Sequence, residues 1–369
     1  MFYNLQQIAS ESDTFVSFTY KYQAQLKFLS KTLNIRDICI YRSTQNTLYS
    51  HSFLTLSSFN FWPFCSMSMT MSRVMCRPTQ PLKNVPSSGQ SQMMRPKEKV
   101  VLVMGATGSG KTRLSVDLAR CFPSEIINSD KMQVYEGLEI VTNKATKEEQ
   151  RGVPHHLLGT QDPNSEFTAS DFCDVASRAI ESITRRDKVP IVVGGSNSYM
   201  EALVERFGPR FEWCFLWVDV SVPVLHTYVA QRVDHMLRCG MVNELRPFFN
   251  AHGDYARGIR KAIGVSEFHA YFRREAAASG DTRMRLLQEA VRDVKINTCH
   301  LACKQLGRIH ILRSVKGWKI HRVCATPVFQ KRGHDANEAW KNTVAQPCAS
   351  IVSQFLHSSG RVAPSMQPN

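Results

Sequence analysis

Lys97-Glu-Lys-Val-Val-Leu-Val-Met-Gly105-Ala-Thr-Gly-Ser-Gly110-Lys111-Thr112-Arg-Leu-Ser-Val-Asp-Leu-Ala-Arg-Cys-Phe122 is the stretch that sets the fold. A short apolar run, Val100 to Met104, leads into a Gly-rich turn and then into a segment whose apolar residues recur at helical spacing. The order is strand, loop, helix. The turn, Gly105, Ala106, Thr107, Gly108, Ser109, Gly110, Lys111 and Thr112, has the pattern G-x-x-x-x-G-K-[ST]. Its glycines let the backbone curl so that successive N–H groups point inward, and the helix amino terminus adds partial positive charge. Lys111 can then reach terminal phosphates and Thr112 can hold magnesium. The match is strong because both flanking elements are of the required kind.

Working outward, strand-like runs recur at Glu125–Asn128, Val189–Val193 and Phe215–Val220, with a helical pattern at Ser170–Arg185 between them. Thr168 with Asp171 resembles a capping box opening that helix. Alternating strands and helices predict an α/β, P-loop NTPase-like three-layer fold with a central parallel sheet and ligand sites at the strands' carboxyl ends. After Val220 the text becomes helical, over Val222–Phe249, Ile259–Arg274 and Thr282–Leu306, which predicts a helical cap region. Four parts are therefore expected: an extension over 1–96, the core over 97–220, the cap and return to the core over 221–324, and a terminal helix with polar tail over 325–369. The terminal part contains one amphipathic segment, Asn337–Val344.

The chain has 369 residues and a formal charge of +15, with a pI near 9.4. That balance favours polyanionic partners but does not separate nucleotides, diphosphates, tRNA and acidic membranes. Eleven cysteines contain no C-x-x-C pair, so free thiols in a reducing compartment are expected rather than a zinc site. No run approaches the roughly 20 apolar residues of a membrane span. Residues 1–95 hold nine Lys/Arg against three Asp/Glu, and no acid occurs from Ile38 to Lys97. A Ser-rich, acid-poor leader of this kind reads as a transit peptide, for the plastid first and the mitochondrion second. The alternative takes Met67, Met69, Met71 or Met75 as an internal start, making residues 1–66 an artefact or a tail and leaving the cytoplasm open.

A phosphate cradle does not say which phosphates it holds. The segment Glu125-Ile-Ile-Asn-Ser-Asp130-Lys-Met-Gln-Val-Tyr135 puts a carboxylate, Asp130, just past a strand and near that cradle. GATGSGKT followed by INSDKMQVY resembles the isopentenyltransferase family, which includes adenylate and tRNA enzymes. EIVTNKAT, GVPHHLLG, FTASDF, PIVVGGSNSY, CFLWVDV, RVDHMLRCGMVNEL, GIRKAIGVSEF and NTCHLACKQL resemble further family blocks in sequence order. The plant adenylate branch fits best. The tRNA branch typically carries Gly-Thr-Gly-Leu-Tyr where this chain has Gly195-Ser-Asn-Ser-Tyr199, and no C2H2 finger pattern follows.

The resemblance implies transfer of a dimethylallyl group from dimethylallyl diphosphate to N6 of ATP, ADP or AMP in cytokinin synthesis, with Mg2+ as cofactor. In it the phosphate loop grips the donor's diphosphate rather than ATP. An exocyclic amine is a weak nucleophile, so a general base is needed, and Asp130 matches the family's catalytic aspartate. Lys111 and a metal held by Thr112 would stabilise the leaving diphosphate, and Thr107 matches a threonine near the reacting centre. Asp130 as a metal ligand or helix cap is the alternative.

For the nucleotide, Arg260, which matches a family arginine, and Lys261 are candidates. Ser196, Asn197, Ser198 and Tyr199, after a strand and a Gly-Gly turn, are expected to line the site, and Lys144 to contact the donor. Arg232 and Arg238 are six apart on a helix, hence about 120° apart, so at most one points inward. Leu157, Leu158 and Phe167 are candidates for shielding the prenyl chain. His155 and His156 invite a metal reading that adjacent loop residues rarely satisfy. Two departures from the plant pattern stand out: Ser266 replaces a common proline, and the chain is shortened between Glu205 and Phe211. The rival functions are a tRNA dimethylallyltransferase and a small-molecule P-loop kinase.

Overall fold

The computed structural model describes residues 97–358; the leader over 1–96 and the end of the polar tail lie outside them. Six strands form one sheet: β1 (Glu98–Met104), β2 (Ser124–Asn128), β3 (His155–His156), β4 (Val189–Val193), β5 (Phe211–Asp219) and β6 (Ile320–Cys324). Their order is β3-β2-β4-β1-β5-β6, and every pairing is parallel. Val101 lies between Ile191 and Cys214 in register. From β1 the chain runs outward to β2 and β3, returns to insert β4 beside β1, and then crosses to β5 on the other side of β1, so the crevice opens at the carboxyl end of β1, as such sheets require.

The first helices are α1 (Lys111–Cys121), α2 (Lys147–Gln150), α3 (Ala169–Thr184) and α4 (Asn197–Phe207). The capping box at α3 is present: the Thr168 hydroxyl accepts from the Asp171 N–H at 3.2 Å, and an Asp171 oxygen accepts from the Thr168 N–H at 2.8 Å. Then come α5 (Val222–Arg238), α6 (Met241–Leu245), α7 (His269–Arg274), α8 (Gly280–Ser314), α9 (Thr326–Phe329), α10 (Gly333–Trp340) and α11 (Gln346–His357). Helices cover the sheet and a second helical layer caps its carboxyl edge.

Several helices differ from the sequence expectation for local reasons. The expected Val222–Phe249 helix breaks at Gly240, whose φ of 98° no other residue adopts cheaply. The expected Ile259–Arg274 helix reduces to a 3-10 turn at Gly258–Lys261 followed by α7. In contrast, α8 runs past Gly307, because Ile309 and Leu312 continue its buried stripe into the sheet's core. At 35 residues, this helix is about 50 Å long.

Two apolar cores result. The first joins the sheet to α1, α3, α4 and the carboxyl-terminal helices, including Trp340, Val344, Cys348 and Val352. The second holds the cap together from Tyr135, Leu138, Met236, Ile259, Phe268 and Leu286, among others. α8 contributes Val291 and Val294 to the second core and Ala302 and Leu306 to the first. Its middle therefore lies where cap meets sheet. All eight cysteines among the described residues are free thiols.

Candidate active site

Three strand ends deliver the site. The phosphate loop follows β1, Asp130 follows β2, and the turn Gly194–Ser196 follows β4. With α5, α8 and the carboxyl-terminal segment they enclose a cavity of about 1050 Å³. Thr107, Gly108, Gly110, Lys111, Thr112, Asp130, Ser196, Asn197, Ser198, Arg232 and Lys261 line it. Gly105, Ala106 and Ser109 form the buried base of the loop, and the Ser109 hydroxyl is buried without a hydrogen-bond partner. Gly110 sits left-handed at the start of α1, and a Cβ there would come within 2.8 Å of the Trp340 ring.

The loop is electropositive. The Lys111 ammonium donates to the Ala106 carbonyl at 2.7 Å. Burial pulls its pKa from 10.5 down to about 8, opposed by the Asp130 carboxylate and reinforced by the nearby Arg232. Arg232 donates to the Thr107 hydroxyl at 2.8 Å and keeps its Nε without a partner. Burial likewise lowers its pKa, against attraction from Tyr228 and Asp130. Two cations held at such a loop in a partly dry site suit a polyanion. Arg238, about a third of the way round the helix from Arg232, is exposed and outside the cavity.

Asp130 is held by its own turn: its Oδ1 accepts from the Met132 N–H at 3.0 Å. The Lys131 N–H donates to the Ser196 hydroxyl at 2.9 Å, tying that turn to the one after β4. One wall of the same cavity is apolar, with Met132, Leu158, Val233, Met236, Ile263 and Val294.

Of the other residues singled out in the sequence, Lys261 borders the cavity and Lys144, Arg260, Tyr199, Leu157 and Phe167 lie outside its lining. The Lys144 ammonium is buried against the Gly137 carbonyl and Glu139, whose carboxylate is 3.1 Å away. Arg260 donates to Asn164 at 2.6 Å, away from the cavity lining, and Lys261 pairs with Glu166 at 2.6 Å at its rim. Tyr199 turns into the core, donates to the Phe167 carbonyl at 2.6 Å and stacks on Phe172. Burial raises its pKa. Leu157 is in the sheet's core, and Phe167 packs edge-on against Tyr199.

His155 and His156 point to opposite sides of β3, as strand neighbours do. The first lines the cavity and the second binds Glu125 at 2.7 Å. Facing apart, they are not placed to ligate one ion together, and the described residues hold no group of three or more His, Cys, Asp or Glu able to cage a metal.

Sequence reasoning assigned no role to Gln305, Lys304, Thr298 or Trp340, all of which line the cavity. Gln305 carried a readable signal, a polar residue on the stripe Ala302, Leu306, Ile309 that is otherwise apolar and buried.

A phosphate loop, a carboxylate at the next strand end and an apolar wall in one cleft define a P-loop group-transfer enzyme. The sequence matches the IPP transferase profile over residues 133–211 and 205–309. It is 51% identical over 306 residues to adenylate isopentenyltransferase 3, chloroplastic, of Arabidopsis thaliana, covering 79% of this chain and 91% of that protein. It is 55% identical over 271 residues to adenylate isopentenyltransferase 5, chloroplastic, of the same plant, covering 72% and 82%. In fold it is similar to a eukaryotic dimethylallyltransferase acting on tRNA, with a TM-score of 0.60 and 24% identity over 70% of this chain and 79% of that one. The chain belongs to the IPP transferase family, on its adenylate isopentenyltransferase branch, and is a prenyl-transferring enzyme.

Proposed function

We propose that this enzyme transfers the dimethylallyl group of dimethylallyl diphosphate to N6 of ATP or ADP, or of AMP, in cytokinin synthesis. The observation that carries the reading is the shared cleft, in which the Lys111 loop, Asp130 and an apolar wall face one space. The loop from Gly105 to Thr112, with Lys111 and Arg232, suits the donor's diphosphate. The apolar wall suits a five-carbon chain and keeps water from an allylic centre. N6 attacks C1 of the prenyl group, and the C1–O bond breaks with its electron pair leaving on diphosphate. Asp130 takes the N6 proton. Lys111 and the loop N–H groups stabilise the charge that grows on the leaving oxygen. Thr107, whose hydroxyl accepts from Arg232, is assigned to the reacting end of that diphosphate.

Magnesium fits the donor set. Thr112 lines the cleft next to Lys111 at the start of α1, and a single hydroxyl there suits an ion that keeps waters and takes phosphate oxygens. Thr112 would hold it, and it would supply charge neutralisation to the diphosphate. Ser196, Asn197, Ser198 and Lys261 are assigned to the nucleotide. Lys144, Tyr199 and Arg260 support the loops around it from outside the lining.

No helix among the described residues is long and apolar enough to cross a membrane. The acid-poor leader and the chloroplastic relatives support plastid import. A fluorescent fusion of the leader that collects in plastids would agree, and one collecting in mitochondria or cytosol would not. The activity itself is tested by incubating purified enzyme with labelled donor and either ATP, ADP, AMP or unmodified tRNA. Label confined to tRNA would overturn the acceptor.

A further inference from the structure

Gln305 lies on the buried stripe of α8 at the level where cap meets sheet, 9% exposed. Its side-chain amide serves two different loops. The Oε1 accepts from the Thr107 N–H at 2.7 Å, in the phosphate loop after β1. The Nε2 donates to the Gly195 carbonyl at 3.0 Å, in the turn after β4. Its backbone carbonyl accepts from the Asn197 side-chain amide at 3.0 Å, at the start of α4. Gly195 is pressed between this amide and the base. A Cβ there would collide with Gln305 Nε2 and lie 3.4 Å from Asp130 Oδ2.

We propose that Gln305 is a positioning residue for prenyl transfer, fixing the distance between the loop that grips the leaving diphosphate and the turn against which Asp130 rests. The inference builds on the roles given above to the phosphate loop and to Asp130. The chemistry requires an amide. The site needs one acceptor for Thr107 and one donor for Gly195, held at a fixed separation by a single planar group. Glutamate keeps the acceptor but turns an oxygen toward the Gly195 carbonyl. Methionine, of similar length, offers neither. Because α8 is packed into both cores, the bridge refers both loops to one rigid element. Gln305 acts through Thr107 and Gly195, and no reacting atom is assigned to it.

The test compares wild type, Gln305→Met and Gln305→Glu in the purified full chain. It measures kcat and KM for dimethylallyl diphosphate with ATP, the donor Kd by calorimetry, and the melting temperature. In Gln305→Met, kcat should fall about 10²-fold, the cost of misplacing reacting groups by about 1 Å, while the donor Kd moves by less than about threefold. Gln305→Glu, which retains the contact with Thr107, should fall between wild type and Gln305→Met. An unchanged kcat, or equal loss of kcat and donor affinity, would overturn the proposal. If Gln305→Met does not fold, Gln305→Glu carries the same comparison of kcat against Kd. A wild-type enzyme inactive on every adenine nucleotide would strike instead at the reading of the site, so the two failures are distinguishable.

Discussion

Raising the pH should weaken capture of the prenyl donor with a midpoint set by Lys111. Burial lowers this ammonium from 10.5 to about 8 in the ligand-free site, which corresponds to roughly 3 kcal/mol of lost preference for the charged form. A diphosphate needs that charge. The protonated fraction falls from about nine-tenths at one pH unit below the midpoint to about one-tenth at one unit above it. The sign follows directly: donor capture is strong at neutral pH and is lost as pH rises through about 8, long before an exposed lysine would titrate. The assay is kcat/KM for dimethylallyl diphosphate from pH 6 to 10 at saturating nucleotide, since that quantity reports groups of the free enzyme. A roughly tenfold fall per pH unit should set in near pH 8. Lys111→Ala should be slower throughout and lack this limb. A profile flat to pH 9.5, or one with the same limb in Lys111→Ala, would refute the assignment.

Three further outcomes are expected. Asp130→Asn keeps an acceptor for the Met132 N–H, so kcat should fall by about 10² to 10⁴ with donor Kd nearly unchanged by calorimetry; parallel loss of both would make Asp130 a metal ligand. Trp340 is buried, binds Asp117 through its indole N–H at 2.7 Å and stacks beneath Arg113, so Trp340→Ala should cost about 3–5 kcal/mol in urea unfolding, and a loss below about 1 kcal/mol would contradict its place in the core. Lys144→Met leaves the Gly137 carbonyl without its partner and should cost about 1–3 kcal/mol of stability; a donor KM that rises while stability holds would put Lys144 back in the site.

The parts of the fold legible in the sequence were those whose physics is local. Val100 to Met104 and Val189 to Val193 are apolar runs bounded by turn residues, and they are β1 and β4. Thr168 and Asp171 announced α3 because a capping box is written within four residues. β6 was not legible. As an edge strand, Ile320–Cys324 buries only Ile320 and Val323, and His321 and Arg322 face solvent. β3, two residues long, carries no periodicity at all.

The site divides in the same way. The loop, Asp130 and Ser196 were legible because each begins within three residues of a strand's end. The charges at Lys144 and Arg260 were harder, since a cation near a phosphate motif can equally be satisfied by Glu139 or Asn164, as here. Gln305 stands 198 residues from Thr107, and that partnership exists only once α8 has crossed from cap to sheet.

The central claim is prenyl transfer to a free adenine nucleotide, and the mass of the product tests it most directly. Purified enzyme given dimethylallyl diphosphate, magnesium and ATP or ADP should release inorganic diphosphate and yield a nucleotide heavier by one dimethylallyl group on N6. A phosphorylated product, or modification of tRNA with the free nucleotides untouched, would contradict it.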